Sequence, residues 1–177
     1  MDKKKENELV RAAQAGCVES LGVLYERYYE SMAWLAYSVV FDRDLAQDVA
    51  QETFTVVCRT ITTLKKPQHF GGWLSRICRH RAIDTLRRQR GNTVPLPEDM
   101  QACETQEGEN GQAVRLAIAA LPQMYREIVV LHYFHHRSYE QIENTLGISL
   151  HTVKGRLFRA RKQLAQILKN NGYHEGT

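Results

Sequence analysis

The chain has no apolar run long enough to cross a bilayer, which excludes stable membrane insertion through a spanning helix. Its start, MDKKKENELV, carries basic residues with no apolar stretch behind them, so it lacks the form of a secretory signal. Only four cysteines occur, Cys17, Cys58, Cys78 and Cys103, and no pair has C-x-x-C spacing. Without an export signal they read as reduced thiols, and the expected compartment is the cytoplasm. The formal charge is only +4 over 177 residues, so its placement says more than its sum. That length suits one ordinary domain or two small ones. Between Gly91 and Val114 there is no Lys or Arg at all. Glu98, Asp99, Glu104, Glu107 and Glu109 supply the charge there, while Pro95, Pro97, Gly108 and Gly111 discourage regular structure. This stretch reads as a flexible acidic linker, either a passive tether or a strand suited to a basic groove.

What is present is chiefly helical. The most informative stretch runs from Ser138 to Leu164. Ser138 is followed three residues later by Gln141, the spacing of a capping box. Gly147 is placed to end that helix in a left-handed conformation, and Ser149 to cap the next one. Leu150, Val153, Leu157 and Leu164 then recur at helical spacing and face inward. His151, Thr152, Lys154, Arg156 and Arg159 are left outside. Hydrogen-bonding groups near a helix N-terminus, with cations further along, suit the DNA major groove: the first reach base edges and the second neutralise phosphates. A helical hairpin with a solvated basic face is the plainer alternative. The coincidence of two caps, a glycine and a one-signed face favours a helix-turn-helix.

The first half reads as four helices. Leu9, Val10 and Ala13 start a short one that ends near Ala15-Gly16. Leu21, Leu24, Tyr25, Tyr28, Met32, Leu35, Ala36 and Val39 recur at helical spacing in a second, broken at Phe41-Asp42-Arg43. A third, from Asp44 to Leu64, is apolar on more than one side, as a central helix would be. Its exposed strip carries Asp44, Asp48, Gln51, Glu52 and Thr55. That strip is a solvated face, a weak divalent-metal candidate or a docking surface for a basic or helical partner. Lys65-Lys66-Pro67-Gln68-His69 reads as a stiff loop. The fourth helix, Phe70 to Arg90, buries Phe70, Leu74, Ile77, Cys78, Ala82 and Leu86. Lys65, Lys66, Arg76, Arg79, Arg81, Arg87, Arg88 and Arg90 make this region basic, and Trp73 lies among them. Such a mixture suits single-stranded nucleic acid, with ordinary packing the alternative for Trp73. Beyond the linker, Leu121-Pro122 breaks the chain, and Met124, Ile128, Val129, Leu131 and Tyr133 pack the next helix. His132, His135 and His136 have no cysteine at a matching distance, so no metal is expected.

Three of these motifs together are similar to bacterial RNA polymerase sigma factors of the extracytoplasmic-function class, group 4 of the sigma-70 family. The run Asp44-Leu45-Ala46-Gln47-Asp48-Val49-Ala50-Gln51-Glu52-Thr53-Phe54 resembles region 2.2. Phe70-x-x-Trp73-Leu74-x-x-Ile77, followed by Arg79, Asp84 and Arg87, resembles regions 2.3 and 2.4. Leu121-Pro122, Ser138-Tyr139-x-x-Ile142, Leu146-Gly147-Ile148-Ser149 and Thr152-Val153-Lys154-x-Arg156-Leu157-x-Arg159-Ala160-Arg161 resemble region 4. The resemblance implies an all-α protein of two small helical domains: residues 1–90 (region 2), a region 3.2-like linker over 91–113, and 114–177 (region 4). It implies a promoter-specificity factor rather than an enzyme, with no cofactor. Its partners would be the clamp helices and flap of RNA polymerase core, promoter DNA and an anti-sigma factor. Asp44, Asp48, Gln51 and Glu52 would dock on core. Lys65, Lys66, Gln68, His69, Trp73, Arg76, Arg79, His80, Arg87 and Arg88 would hold the melted −10 strand. Ser149, His151, Thr152, Lys154, Arg156, Arg159 and Arg161 would read −35 as duplex, with the spacing of the two halves left to the polymerase. Three departures stand out. His80 replaces the Asn of many members, the 65–69 loop lacks their Gly and Asp, and Glu143 replaces a small residue where it would splay outwards or loosen the turn. Two rivals predict other behaviour: a dimeric duplex-binding activator, and a metal-dependent nuclease built on Asp44, Asp48 and Glu52.

Overall fold

Gly16 takes φ 96°, a conformation other residues rarely adopt, and so turns the chain between α1 (Lys3–Gln14) and α2 (Val18–Val40). The computed structural model describes residues 3–91, 114 and 116–170; of the acidic linker expected over 91–113, Gly91 belongs to the helix before it and the rest lies outside them. Phe41, at φ 57°, closes α2 with its N–H on the Tyr37 carbonyl. Asp42 then caps α3 (Arg43–Thr60), its carboxylate accepting from the Leu45 N–H at 2.8 Å. The break expected at Phe41-Asp42-Arg43 is thus one left-handed residue followed by one N-cap.

The third helix stops at Thr60, short of the expected Leu64, and tightens into a 3₁₀ turn over Ile61–Thr63. Gln14 reaches across from α1 and donates to the carbonyls of Ile61 at 3.0 Å and Leu64 at 2.7 Å. It thereby gives the Leu64 carbonyl a donor and adds a second one to the Ile61 carbonyl, which already accepts from the Leu64 N–H at 3.2 Å. The segment read as an open loop is half helical. Pro67 supplies the fixed φ of a first helical position, and Pro67–His69 forms a 3₁₀ turn leading into α4 (Phe70–Gly91).

Val10, Leu24, Tyr28, Met32, Leu35, Val49, Ala50, Val57, Phe70, Leu74 and Cys78 are buried between these four helices. Tyr25, read as core, is 37% exposed. Its ring lies on the rim instead, 4.8 Å from Phe54 and 5.0 Å from Tyr29.

The C-terminal half comprises a helical turn at 116–119, α5 (Gln123–Val129), a π-helical segment (Val130–Phe134), α6 (Tyr139–Leu146) and α7 (Leu150–Asn170). Ile128, Leu131, Ile142, Leu146, Val153 and Leu157 form its interior. Met124 and Tyr133 were expected inside but are 48% and 46% exposed. Met124 projects past the core one turn before Ile128. The wider π turn changes the helical register ahead of Tyr133 and swings it outward. Both parts of the capping box form: the Gln141 N–H donates to Ser138 Oγ at 3.3 Å, and the Ser138 N–H to Gln141 Oε1 at 2.8 Å. Gly147 ends α6 at φ 65°, its N–H on the Glu143 carbonyl at 2.9 Å. Among the described residues there is no strand, and no helix is long and apolar enough to cross a membrane.

The two halves are not independent. α6 packs on α4, and α5 with the π segment packs on α2. A reading from the linker alone left their spacing open.

Candidate nucleic-acid interface

Two basic surfaces arise from this scaffold. The first lies on α7. Ser149 Oγ accepts from the Thr152 N–H at 3.2 Å and shares a 2.8 Å hydrogen bond with the Thr152 hydroxyl. Val153, Leu157 and Ala160 fix the inner side of the helix. His151, Lys154, Arg159 and Arg161 are exposed, while Thr152 and Arg156 are half-buried at the flanks. Arg161 also donates to the Leu157 carbonyl at 3.4 Å, which holds its stem along the helix.

Glu143 corrects an expectation. It neither splays away nor loosens the turn. Its Oε1 accepts from the Leu150 N–H at 3.1 Å and so provides a second cap for α7. A carboxylate also suits the positive end of a helix dipole. Glu143→Ala should therefore destabilise the C-terminal half by about 1 kcal/mol, and Glu143→Gln by less. Chemical denaturation of the two variants checks this, and equal losses would reject the cap.

The second surface surrounds the start of α4. Lys65, Lys66, Gln68 and His69 are exposed on the preceding turn, and Arg76, His80, Arg87 and Arg88 are exposed along the helix. Trp73 does part of both jobs assigned to it. Its ring sits 6.1 Å from Phe70 against the core, and it also lines an open cleft. Arg79 is the exception among the cations. Its Nε donates to Glu127 Oε1 at 2.8 Å, and the same oxygen accepts from Gln123 at 3.1 Å. Glu127 is only 3% exposed. The sequence reading missed it, although an acid directly before Ile128-Val129-Val130-Leu131 was a visible signal.

The acidic strip lies on the outer side of α3. Asp44, Asp48 and Gln51 are exposed, and Glu52 is half-buried beneath Arg81 of α4, 3.3 Å away. The three histidines do not converge on a metal-type cluster, and no group of three or more such side chains occurs among the described residues. His132 Nδ1 lies 3.0 Å from the Arg137 carbonyl. His135 instead stacks on Trp34, with Ser31 Oγ at 3.4 Å and Glu30 at 3.6 Å. Burial, followed by the nearby Arg137 charge, lowers its pKa against the opposing pull of Glu30. Cys78 is inert for a similar reason, since burial pushes its thiol up to about 12.

The second surface, Arg79 included, and the turn that leads into α7 border one cleft of about 1000 Å³. Lys66, His69, Trp73 and Arg76 stand on one side of it, with Asn144 and Ser149 on the other. The structure therefore brings the start of α7 and the start of α4 together. It leaves the acidic strip apart from that cleft, since none of its residues lines it.

Comparison with known proteins gives two family matches in chain order: Sigma-70 region 2 over residues 24–92, and Sigma-70 region 4 over 111–164. Among curated proteins, the chain is 33% identical over 155 residues to the ECF RNA polymerase sigma factor SigE of Mycolicibacterium smegmatis, covering 82% of this chain and 60% of that protein. It is 30% identical over 173 residues to the probable RNA polymerase sigma factor RfaY of Xanthomonas campestris, covering 91% of this chain and 43% of that protein. It is 31% identical over 130 residues to the RNA polymerase sigma factor SigV of Bacillus subtilis, covering 72% of this chain and 78% of that protein. The chain thus spans about half the length of the first two relatives and most of the third. Two solved structures share the fold. CnrH in complex with the cytosolic domain of CnrY has a TM-score of 0.62 at 23% identity, covering 96% of this chain and 99% of that one. The sigma factor RpoE of Bartonella quintana, in complex with the anti-sigma factor NepR, has a TM-score of 0.55 at 21% identity, covering 84% and 96%.

Proposed function

The chain belongs to the extracytoplasmic-function class of the sigma-70 family of RNA polymerase sigma factors, and from that premise we propose that it gives bacterial RNA polymerase core its promoter specificity. The observation that carries the reading is the pair of region matches, at 24–92 and 111–164, each over one of the two basic surfaces. Residues 1–90 dock on core and hold the melted −10 strand. Residues 91–113 link the halves, and 114–177 read −35 as duplex. The protein works in the cytoplasm, by binding rather than by catalysis, and without a cofactor.

The chemistry divides by surface. On α7, Ser149, His151 and Thr152 approach base edges, while Lys154, Arg156, Arg159 and Arg161 neutralise phosphates. Phosphate contacts set register and make affinity fall with salt; base contacts carry the sequence information. On the second surface, Lys65, Lys66, Arg76, Arg79, Arg87 and Arg88 hold the strand backbone. Gln68, His69, Trp73 and His80 offer stacking and hydrogen-bonding groups to an unstacked base. Unstacking costs a few kcal/mol, so the rigid turn at Pro67 and the packed base of Trp73 favour capture by avoiding further ordering. Asp44, Asp48, Gln51 and Glu52 meet the clamp helices of core, and residues 114–177 meet its flap. An anti-sigma factor, as NepR is for RpoE, holds the protein in reserve.

The test is reconstituted transcription. Purified protein added to bacterial core should give start-specific transcripts from promoters mapped after its overexpression. Core alone should give none. If no promoter gains a transcript from the combination, the reading fails.

A further inference from the structure

We propose that the strand-holding surface continues past the 65–69 turn onto α1, where Lys3, Lys4 and Lys5, with Asn7 beside them, hold the phosphates of a single DNA strand. The proposal rests on the sigma-factor reading for the identity of that strand, and on the placement of α1 for everything else. Neither matched region includes this helix, because the first begins at residue 24.

Three consecutive lysines open α1, and all three are exposed. The helix gains nothing from them there. Cations in a first turn face the positive end of the helix dipole, and three in a row repel one another. A charge run that costs its own helix stability points outward, to an anionic ligand.

α1 is held firmly enough to aim these side chains. Near its far end, Gln14 donates to the Ile61 and Leu64 carbonyls at 3.0 and 2.7 Å. Near its start, Glu6 accepts from the Tyr28 hydroxyl at 2.9 Å and pairs with Arg27 at 3.1 Å. Val10 and Ala13 are buried beneath. By helical period Lys3, Asn7 and Gln14 share one side, and α1 packs on the 3₁₀ turns at 61–63 and 67–69. Lys3 and Asn7 consequently line the same cleft as Lys65, Lys66, Trp73 and Arg76.

The acids of that cleft are already engaged. Glu6 is bound as above, and Glu143 caps Leu150. Lys3, Lys65, Lys66 and Arg76 make no ion pair among the described residues. A strand laid from Trp73 toward α1 therefore meets cations whose counter-charges are mobile ions. Lysine suits the task, because a compact charge on a flexible stem follows a backbone without reading its sequence. The consequence is a longer grip on the opened strand than residues 65–88 provide alone, and that grip opposes reannealing.

Strand binding across a salt series tests this, with the full-length chain both free and assembled with bacterial core. The probe is a fluorescein-labelled single-stranded DNA of randomised sequence, about 20 nucleotides long and so longer than the roughly 4–16 that one small binding module covers. The triple variant Lys3→Gln, Lys4→Gln, Lys5→Gln should bind it about tenfold more weakly at low salt. The slope of log affinity against log salt should fall by about 2, or about 0.7 for each lysine. The corresponding triple substitution to Arg should keep both values, since charge is what the strand meets. Arg59→Gln, exposed on α3 and not lining the cleft, should leave both nearly as they are. The Gln variant should unfold at the wild-type temperature or slightly above it, because cations at that helix end are unfavourable. That separates lost binding from lost structure. Unchanged affinity and slope in the Gln variant overturn the proposal. So does a wild type that binds no strand in either form, or an equal loss on a duplex of the same length, which would mark a diffuse field rather than a strand surface. Failure of the sigma reading shows elsewhere: wild type with core then yields no promoter-specific transcript, while the weaker strand binding of the Gln variant still stands.

Discussion

Replacing Phe70 with alanine should lower the stability of the N-terminal bundle by about 3–5 kcal/mol and abolish promoter-dependent transcription with it. Phe70 is fully buried at the junction between the Pro67–His69 turn and α4. Its ring meets Tyr28 edge-on, at 5.5 Å and 73°. The Tyr28 hydroxyl in turn donates to Glu6 at 2.9 Å, and Glu6 is paired with Arg27 at 3.1 Å. Removing the ring therefore opens a cavity and also loosens the packing behind a buried carboxylate. Small domains have only about 5–15 kcal/mol in total, so this single loss consumes much of it. The functional consequence follows from position. Trp73 rests on Phe70, and the cationic turn at Lys65 to His69 leads straight into it. Phe70→Leu keeps most of the volume and should cost about half as much or less. Urea unfolding followed by circular dichroism measures both variants. A loss below about 1 kcal/mol for Phe70→Ala would mean the ring is not the keystone of this junction.

The parts of this structure legible in the sequence are those written in local chemistry. Ser138 with Gln141, Gly147, and Ser149 with Thr152 each mark a helix end through an interaction spanning three or four residues. Helical spacing likewise found Val10, Leu24, Val49, Leu74 and Leu157 for the core. Two of the misreadings came where the period itself changed. The π segment before His135 displaced Tyr133, and the tight turn after Thr60 ended a helix that its apolar pattern would have continued. The exposed cations were found by elimination, since whatever does not pack faces outward. Elimination says nothing about partners. Arg79 meets Glu127 across 48 residues, and Ser75 meets Thr145 across 70. Between those pairs lies an acidic stretch whose composition sets no geometry. Glu143 looked like a fault on the same grounds, because its cap on Leu150 depends on how the turn at Gly147 aims α7 back toward it.

Asp48→Arg is expected to weaken binding to RNA polymerase core by about 100-fold, which corresponds to roughly 3 kcal/mol. Glu52→Gln should change it far less. The difference follows from how each carboxylate is already used. Asp44 and Asp48 are exposed on the outer side of α3 and make no ion pair among the described residues, so their charge is free for a partner. Glu52 faces Arg81 at 3.3 Å, and part of its charge is answered internally. That pair is itself open to solvent and worth about 0–1 kcal/mol, so losing it hardly affects the fold. Reversing Asp48 does more than remove an attraction, because a like charge placed against a cationic partner costs several kcal/mol. Since position 48 is exposed, thermal unfolding should shift by no more than about 0.5 kcal/mol, which separates lost docking from lost structure. The defect should also shrink as salt is raised, because exposed charges are screened beyond about 8–10 Å at ordinary ionic strength. Equilibrium binding of labelled protein to core across a salt series measures all three effects. A loss equal to that of Glu52→Gln, or one indifferent to salt, would place the docking surface away from this strip.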